Sequence, residues 1–402
     1  MMKISVRLLF TALLTAAMLL VASGAHALDA GGRLRAQGDF EQDQDPRGQF
    51  TLNAWAKLFP ELEGDATAEL LIEGTILYVV DDFAAADLEY FTARATLPGR
   101  LGDQSVLGLR GGRYQLTDSG GLVVDHRADG VSLSLDYPRI GLRLAGGYTG
   151  LLLKQNASIR MSAEDLTDLL DEQTTTASPR LIGLFELSFP EVVLRQNVLL
   201  GGVAQFDRQS GDEDLIDTQY AYLGLNGRLF PGFYYDTVAL AGGVQYTDDA
   251  LDIDTSGIML AASQRFLIFM DALASSVISM RALYASADDD EFKAFMPITQ
   301  PDLVTLSPIV ASDLLFGSLE YSLRPFGGAD SHVLQNIGLT GYGAAVFDAD
   351  PTGDDAYRGT EAGGRISLRP FSDIGGSIQV GAFVPDEGDT TVYGRIEFST
   401  SF

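Results

Sequence analysis

Residues 391–402, TVYGRIEFSTSF, decide how the rest of the chain is read. Val392, Gly394, Ile396, Phe398, Thr400 and Phe402 fall on one side of an extended chain, and Tyr393, Arg395, Glu397, Ser399 and Ser401 on the other. Side chains alternate across a strand, so the segment has one apolar face and one polar, partly charged face. It stops on an aromatic residue. The same alternation recurs upstream. Phe50, Leu52, Ala54, Ala56 and Leu58 alternate with Thr51, Asn53, Trp55 and Lys57. Leu315, Gly317, Leu319, Tyr321 and Leu323 alternate with Ser318, Glu320, Ser322 and Arg324. Comparable runs cover 68–78, 131–137, 140–149, 221–229 and 364–369, and the pattern blurs over 192–206, 257–270 and 276–286.

The connections alternate in type. One set is short and places Pro beside an aromatic or Leu, as in Phe59-Pro60, Leu97-Pro98-Gly99, Phe230-Pro231-Gly232 and Arg369-Pro370-Phe371. Proline presets a turn and cannot continue a ladder, and aromatics suit a membrane interface. The other set is longer and rich in Asp, Glu, Gly, Ser and Thr, including 118–129, 154–180, 207–217, 288–312 and 348–358. Short turns at one end and long loops at the other are the asymmetry of transmembrane barrels. The reading is an all-β, antiparallel transmembrane barrel of about eighteen strands, with sixteen as the fallback, over residues 28–402.

The first 27 residues read as a cleaved export signal. Lys3 and Arg7 supply positive charge, 8–22 is a short apolar run, and Ala25-His26-Ala27 fits the small-x-small rule. Cleavage is expected after Ala27. No later run is long enough for a transmembrane helix, yet 46% of the 402 residues are hydrophobic. Lipid admits only helices and closed barrels, so alternation dispersed along an exported chain points to a barrel. The absence of Cys removes disulfides, thiol nucleophiles and Cys-type zinc sites.

Enzymatic chemistry finds little footing. Only His26, His126 and His332 exist, and no phosphate-binding glycine loop is present. The chain reads as a non-enzyme without cofactor or metal. The acidic clusters 211–214, 252–254 and 288–291 lack the EF-hand spacing and read as solvated carboxylates. Nucleic acid is not an expected partner for a chain of net charge −28.

Charge is divided between strands and loops. Arg33, Arg35, Lys57, Arg94, Arg110, Arg143, Arg195, Arg228, Arg265, Arg281, Arg365 and Arg395 fall in the polar phase of their strands, while most acids lie in loops. Arg or Lys facing lipid costs about 2–4 kcal/mol at the midplane, so these side chains are expected to line the pore. Tyr222 and Tyr393 share that phase, with Tyr90, Tyr114 and Tyr342. An Arg-rich lumen lowers the barrier for anions. Two loops have content of their own. In 162–172, Ser162 and Asp165 are spaced as a capping box, predicting a short helix. In 288–312, Phe292, Phe295, Met296, Ile298, Leu303, Leu306, Ile309 and Val310 are too apolar for a solvated loop; the segment is expected to fold inward and narrow the pore.

Signal, alternation, loop asymmetry and terminal Phe402 together resemble Gram-negative outer-membrane porins. That resemblance implies an integral outer-membrane protein, passive diffusion of small hydrophilic solutes, contact with outer-membrane lipids, and Phe402 as the signal read by the barrel assembly machinery. Residues 111–150, with Gly112-Arg113-Tyr114 followed by Asp129-Gly130-Val131, are more loosely similar to paired strands of the alginate-export family of eighteen-stranded channels. The Trp-rich loop of that family is missing, since Trp55 is the only Trp. Three functions therefore stand open: a channel preferring small anions, an export channel for an anionic polysaccharide, and a closed barrel with a structural or adhesive role.

Overall fold

The computed structural model describes residues 28–402 apart from 43, 81–83, 172–173, 194, 210–214, 249–252, 271–274, 289–291, 304–308 and 351–355. The expected signal, 1–27, and the acidic clusters at 211–214 and 289–291 lie outside the described residues.

Eighteen strands follow one another along the chain. They are β1 (Leu28–Glu41), β2 (Arg47–Leu58), β3 (Thr67–Val79), β4 (Ala84–Pro98), β5 (Val106–Thr117) and β6 (Asp125–Tyr137). Next come β7 (Ile140–Tyr148), β8 (Arg180–Val193), β9 (Gln196–Asp207), β10 (Leu215–Phe230), β11 (Phe233–Asp248) and β12 (Ile253–Met270). The last six are β13 (Ser276–Ala285), β14 (Leu314–Leu323), β15 (Ile337–Phe347), β16 (Tyr357–Phe371), β17 (Ile374–Pro385) and β18 (Thr391–Ser401). Each pairs antiparallel with its neighbours in sequence, and β1 pairs with β18, so the sheet closes with no free edge. The strands that blurred in sequence, β9, β12 and β13, are ordinary members of the wall. Among the described residues no helix is long and apolar enough to cross a membrane.

The seam is built from the two chain ends. Arg33 pairs with Ser401 and Glu41 with Tyr393. Gly32 and Phe402 then exchange backbone hydrogen bonds at 2.9 and 3.0 Å. Gly394 lies under the ring of Phe40, where a Cβ would come within 1.6 Å of ring carbon. Any larger residue there would push Phe40 off the seam.

The alternation read from sequence is the alternation of the wall. Phe91, Val131, Leu225, Leu319 and Ile366 point outward and are exposed. They form the surface that lipid covers in a transmembrane barrel. The inward phase carries the arginines. Arg195 is a correction: it sits in the turn between β8 and β9 with φ 66°, not on the wall. The β8–β9 ladder also shifts register between Phe189 and Val193, so the strand phase does not carry through to Arg195.

Candidate functional site: the occluded lumen

Three connections fold into or over the barrel mouth, and their packing decides where the lumen stays open. The first is the tip between β5 and β6, residues 118–124. The Asp118 carboxylate accepts backbone N–H bonds from Leu122 at 3.3 Å, Val123 at 3.0 Å and Val124 at 2.7 Å. Burial pushes the Asp118 carboxyl above its ordinary range, against those three donors. The turn so closed presents Leu122, Val123 and Val124, all at most 1% exposed. Inside an aqueous lumen, each such side chain contributes about 1.5–3 kcal/mol when fully buried.

The tip is tied to the wall through Glu186 of β8. Its Oε1 accepts the Ser119 N–H at 2.6 Å and the Tyr222 hydroxyl at 2.6 Å. Its Oε2 accepts from Arg143 at 3.0 Å, and Arg143 also donates to the Thr117 carbonyl at 2.9 Å. Two expected lining residues are thus engaged in holding the tip. Tyr222 is 5% exposed and does not line open pore, a correction to its expected place. Arg143 keeps partial exposure beside it.

The second connection is 286–313, and its described part does fold inward as its composition predicts. Phe295, Ile298 and Ala311 are fully buried. Phe295 meets the Tyr220 ring edge-on at 6.3 Å between centroids, and the Tyr220 hydroxyl donates to the Met296 carbonyl. This segment meets the first one directly: the Thr299 N–H donates to the Val123 carbonyl at 3.1 Å, and its hydroxyl accepts from the Asp125 N–H at 2.7 Å.

The third is the connection between β7 and β8. It carries the expected helix, α1 (Ala163–Leu170), with the Ser162–Asp165 capping box formed. Asp165 and Asp207 both pair with the fully buried Arg180 guanidinium, at 2.8 and 2.9 Å. Burial alone would raise the Asp165 carboxyl, but Arg180 and the N–H groups of Ser162 and Met161 hold it below its ordinary value. Further along, the Ser158 N–H donates to His126 Nε2 at 3.0 Å, joining this connection to β6.

A depressed carboxyl contributes stability above its unfolded value and loses it as pH falls through the folded one. The α1 clasp should therefore persist into acid below the ordinary Asp range. Asp165→Asn removes that charge at every pH and weakens a buried pair worth roughly 3 kcal/mol or more. Pepsin digestion between about pH 4 and pH 2 should nick the variant already at the upper limit and the unmodified protein only toward the lower. Equal cleavage of both would rule the clasp out.

The inner wall under these segments is apolar: Leu184, Val203, Tyr220, Val238, Leu240, Leu283 and Phe316 are buried in one cluster with the loop residues. The inner wall opposite is polar. Arg365, Gln379, Arg395 and Asp39 follow one another in register across β16, β17, β18 and β1, and Arg395 donates to Asp39 at 2.6 Å. Arg33, Arg35, Asn53 and Glu73 continue that lining onto β3. The lumen is thus off-centre, filled on the β8–β14 side, with open space against β18 and β1–β4. Arg94 and Arg110 face each other in register across β4 and β5, with the Arg110 guanidinium 5.4 Å from the centre of the Tyr114 ring. Arg228 lies near the end of β10, exposed at the rim. Lys57 stands beside Trp55, 5.3 Å from its ring centre, and Tyr393 is half-buried near Asp39 and Arg47.

Where the three segments meet the wall they leave a cavity of about 400 Å³, lined among others by Asp125, Ser158, Asp236, Arg265, Arg281, Thr299 and Asp302. Arg265 and Arg281 are cross-strand partners in register. Arg281 donates to the Asp302 carbonyl at 2.8 Å. Among the described residues neither has a carboxylate within 4.0 Å. Like charges placed directly opposite repel, and Asp236, in register with Arg265 on its other side, stands in the same lining with Asp302. Sequence reading named both residues but had no means of pairing them.

The architecture is a closed, antiparallel β-barrel of eighteen strands. Among solved structures, the chain is similar to three Pseudomonas aeruginosa proteins. OccK5 (OpdH) matches at a TM-score of 0.60 and 11% identity, over 93% of this chain and 98% of that one. OccK3 (OpdO) matches at 0.60 and 15%, over 95% and 97%. OccD3 (OpdP) matches at 0.61 and 9%, over 94% and 92%. No family model and no curated protein matches the sequence. At these identities the likeness speaks for the fold.

Proposed function

We propose that the chain is an outer-membrane channel for passive diffusion of small hydrophilic solutes, preferring anions. The observation that carries this reading is the Arg265–Arg281 pair, set in register in the cavity between the loops and the wall, with Asp236 and Asp302 in the same lining but no carboxylate within 4.0 Å of either guanidinium among the described residues. Arg33, Arg94 and Arg365 extend the same character; among the described residues no ion pair engages them. Field strength in a pore follows the charge of its lining, so an anion entering past the acidic loops meets its favourable field here. Export of a charged polymer fits less well, because the packed loop residues fill one side of the lumen and narrow what is left for a chain.

The test is selectivity in planar bilayers. A potassium chloride gradient should give a reversal potential of anion-selective sign. Arg265→Gln with Arg281→Gln should move it toward cation selectivity, more than Arg228→Gln at the rim does. Cation selectivity in the unmodified protein would assign the field to the acidic loops, and silence from folded protein would favour the structural role.

A further inference from the structure

Beyond the anion reading, we infer that the inner face of β2 is a binding subsite for a pyranose ring, on the open side of the lumen. A cavity of about 650 Å³ lies there, lined only by β1–β4 and the chain end at Ser401–Phe402. It shares no lining residue with the Arg265–Arg281 cavity.

Gln49, Thr51, Asn53 and Trp55 succeed one another along it, every second residue of one strand and so about 7 Å apart. Each amide is oriented by a bond that its NH2 group donates. Asn53 donates to the Thr75 hydroxyl at 2.6 Å and Gln49 to the Thr51 hydroxyl at 3.3 Å. Each amide therefore holds its carbonyl oxygen as a fixed acceptor. Arg33 faces the same space with donors only, and Glu73 with acceptors. A sugar hydroxyl donates and accepts at once, so a wall of planar acceptors beside a guanidinium satisfies it from both sides.

The apolar C–H face of a pyranose needs an aromatic plane, and the chain has one indole. Trp55 leans on the backbone of β1: a Cβ at Gly31 would come within 2.8 Å of its Cζ2. The Lys57 ammonium stands over the ring, 5.3 Å from its centre. The ring is therefore held in one orientation before any solute arrives, and that preorganisation lowers the cost of binding.

Charge argues for a sugar over a simple anion at this wall. Arg35 pairs with Glu397 at 3.5 Å, Asp87 lies 3.6 Å from Arg113, and Glu89 pairs with Arg127. What remains facing the cavity is Arg33 and Glu73, one of each sign. A neutral sugar and a sugar acid share the ring chemistry that the site reads, and the experiment separates them.

Because Trp55 is the only Trp, its emission reports on this site alone, whether or not the channel conducts. Folded protein in detergent should show a saturable change on titration with glucose and with glucuronate, and none with propionate, which has the charge without the ring. Asn53→Leu should weaken both sugars tenfold or more, and Arg265→Gln with Arg281→Gln should leave both titrations unchanged. In bilayers, Trp55→Leu should abolish sugar-dependent interruptions of the current. Absence of a saturable change in the unmodified protein, or equal affinity in Asn53→Leu, would overturn the inference. Binding of glucuronate alone, lost in Arg33→Gln, would overturn it in favour of a charge site. Saturable emission with silent bilayers would sink the channel reading and leave the subsite standing.

Discussion

Replacing Leu122, Val123 and Val124 together with Ser should raise single-channel conductance several-fold and make the current noisy. These three side chains are the buried tip of the β5–β6 connection. Their loss removes about 1.5–3 kcal/mol each, more in sum than any one strap holding the tip supplies. The strap from the tip, the Ser119 N–H bond to the Glu186 carboxylate, is a hydrogen bond to a charged acceptor, about 1.5–3 kcal/mol, and Arg143 and Tyr222 hold Glu186 in place for it. Glu186→Gln should therefore act in the same direction with smaller amplitude. It keeps the shape of the hub and weakens its bond to Arg143 while the apolar tip stays packed. The barrel itself should survive both changes, because neither touches the ladders that close the sheet. Conductance equal to that of the unmodified protein in both variants would show that the tip does not obstruct the path.

Much of the barrel was legible because its signal has period two and repeats. The sequence of β14 places Leu315, Gly317, Leu319 and Tyr321 on one face, and lipid forces that face outward wherever the backbone pairing is closed. The α1 helix was legible for a local reason, since Ser162 and Asp165 satisfy each other's neighbouring N–H groups without help from the rest of the chain. The tip at 122–124 was open to reading by the criterion applied to 288–312, too much apolar surface for a solvated loop. It was hidden by the acidic residues around it, because Asp118 and Asp125 made 118–129 look like ordinary exposed loop. Asp118 in fact faces inward and caps the turn.

Other parts of the site had no sequence signal. Arg265 and Arg281 belong to different strands, and their pairing follows from the register between β12 and β13. Tyr222 was placed correctly in the inward phase, but phase says nothing of what lies above a residue. The 118–124 tip, tied to the same Glu186 that takes the Tyr222 hydroxyl, removed it from the pore. Strand phase therefore identifies which side chains face the lumen, and loop packing selects which of them still meet solute.

The outer face permits the sharpest test of that division. Leu319 and Leu225 point outward and are exposed, whereas Asn226, the next residue on β10, points inward and lies in register with Asp236. Arg on the lipid face costs about 2–4 kcal/mol near the midplane, so Leu225→Arg with Leu319→Arg should cost about twice that. The total is a large part of the roughly 5–15 kcal/mol by which a fold is stable. The double variant should fail to give a heat-modifiable folded band. Asn226→Arg adds the same charge one residue away, but into water and opposite a carboxylate. It forfeits the bond that Asn197 donates to Asn226 at 2.8 Å, about 1 kcal/mol, and gains a cross-strand partner of opposite charge, worth about 0.2–1 kcal/mol. Its folded yield should match that of the unmodified protein. Equal yields from the outward and inward variants would mean that lipid does not cover the face bearing Leu225 and Leu319. The membrane-spanning reading would then fall, even though the eighteen strands close.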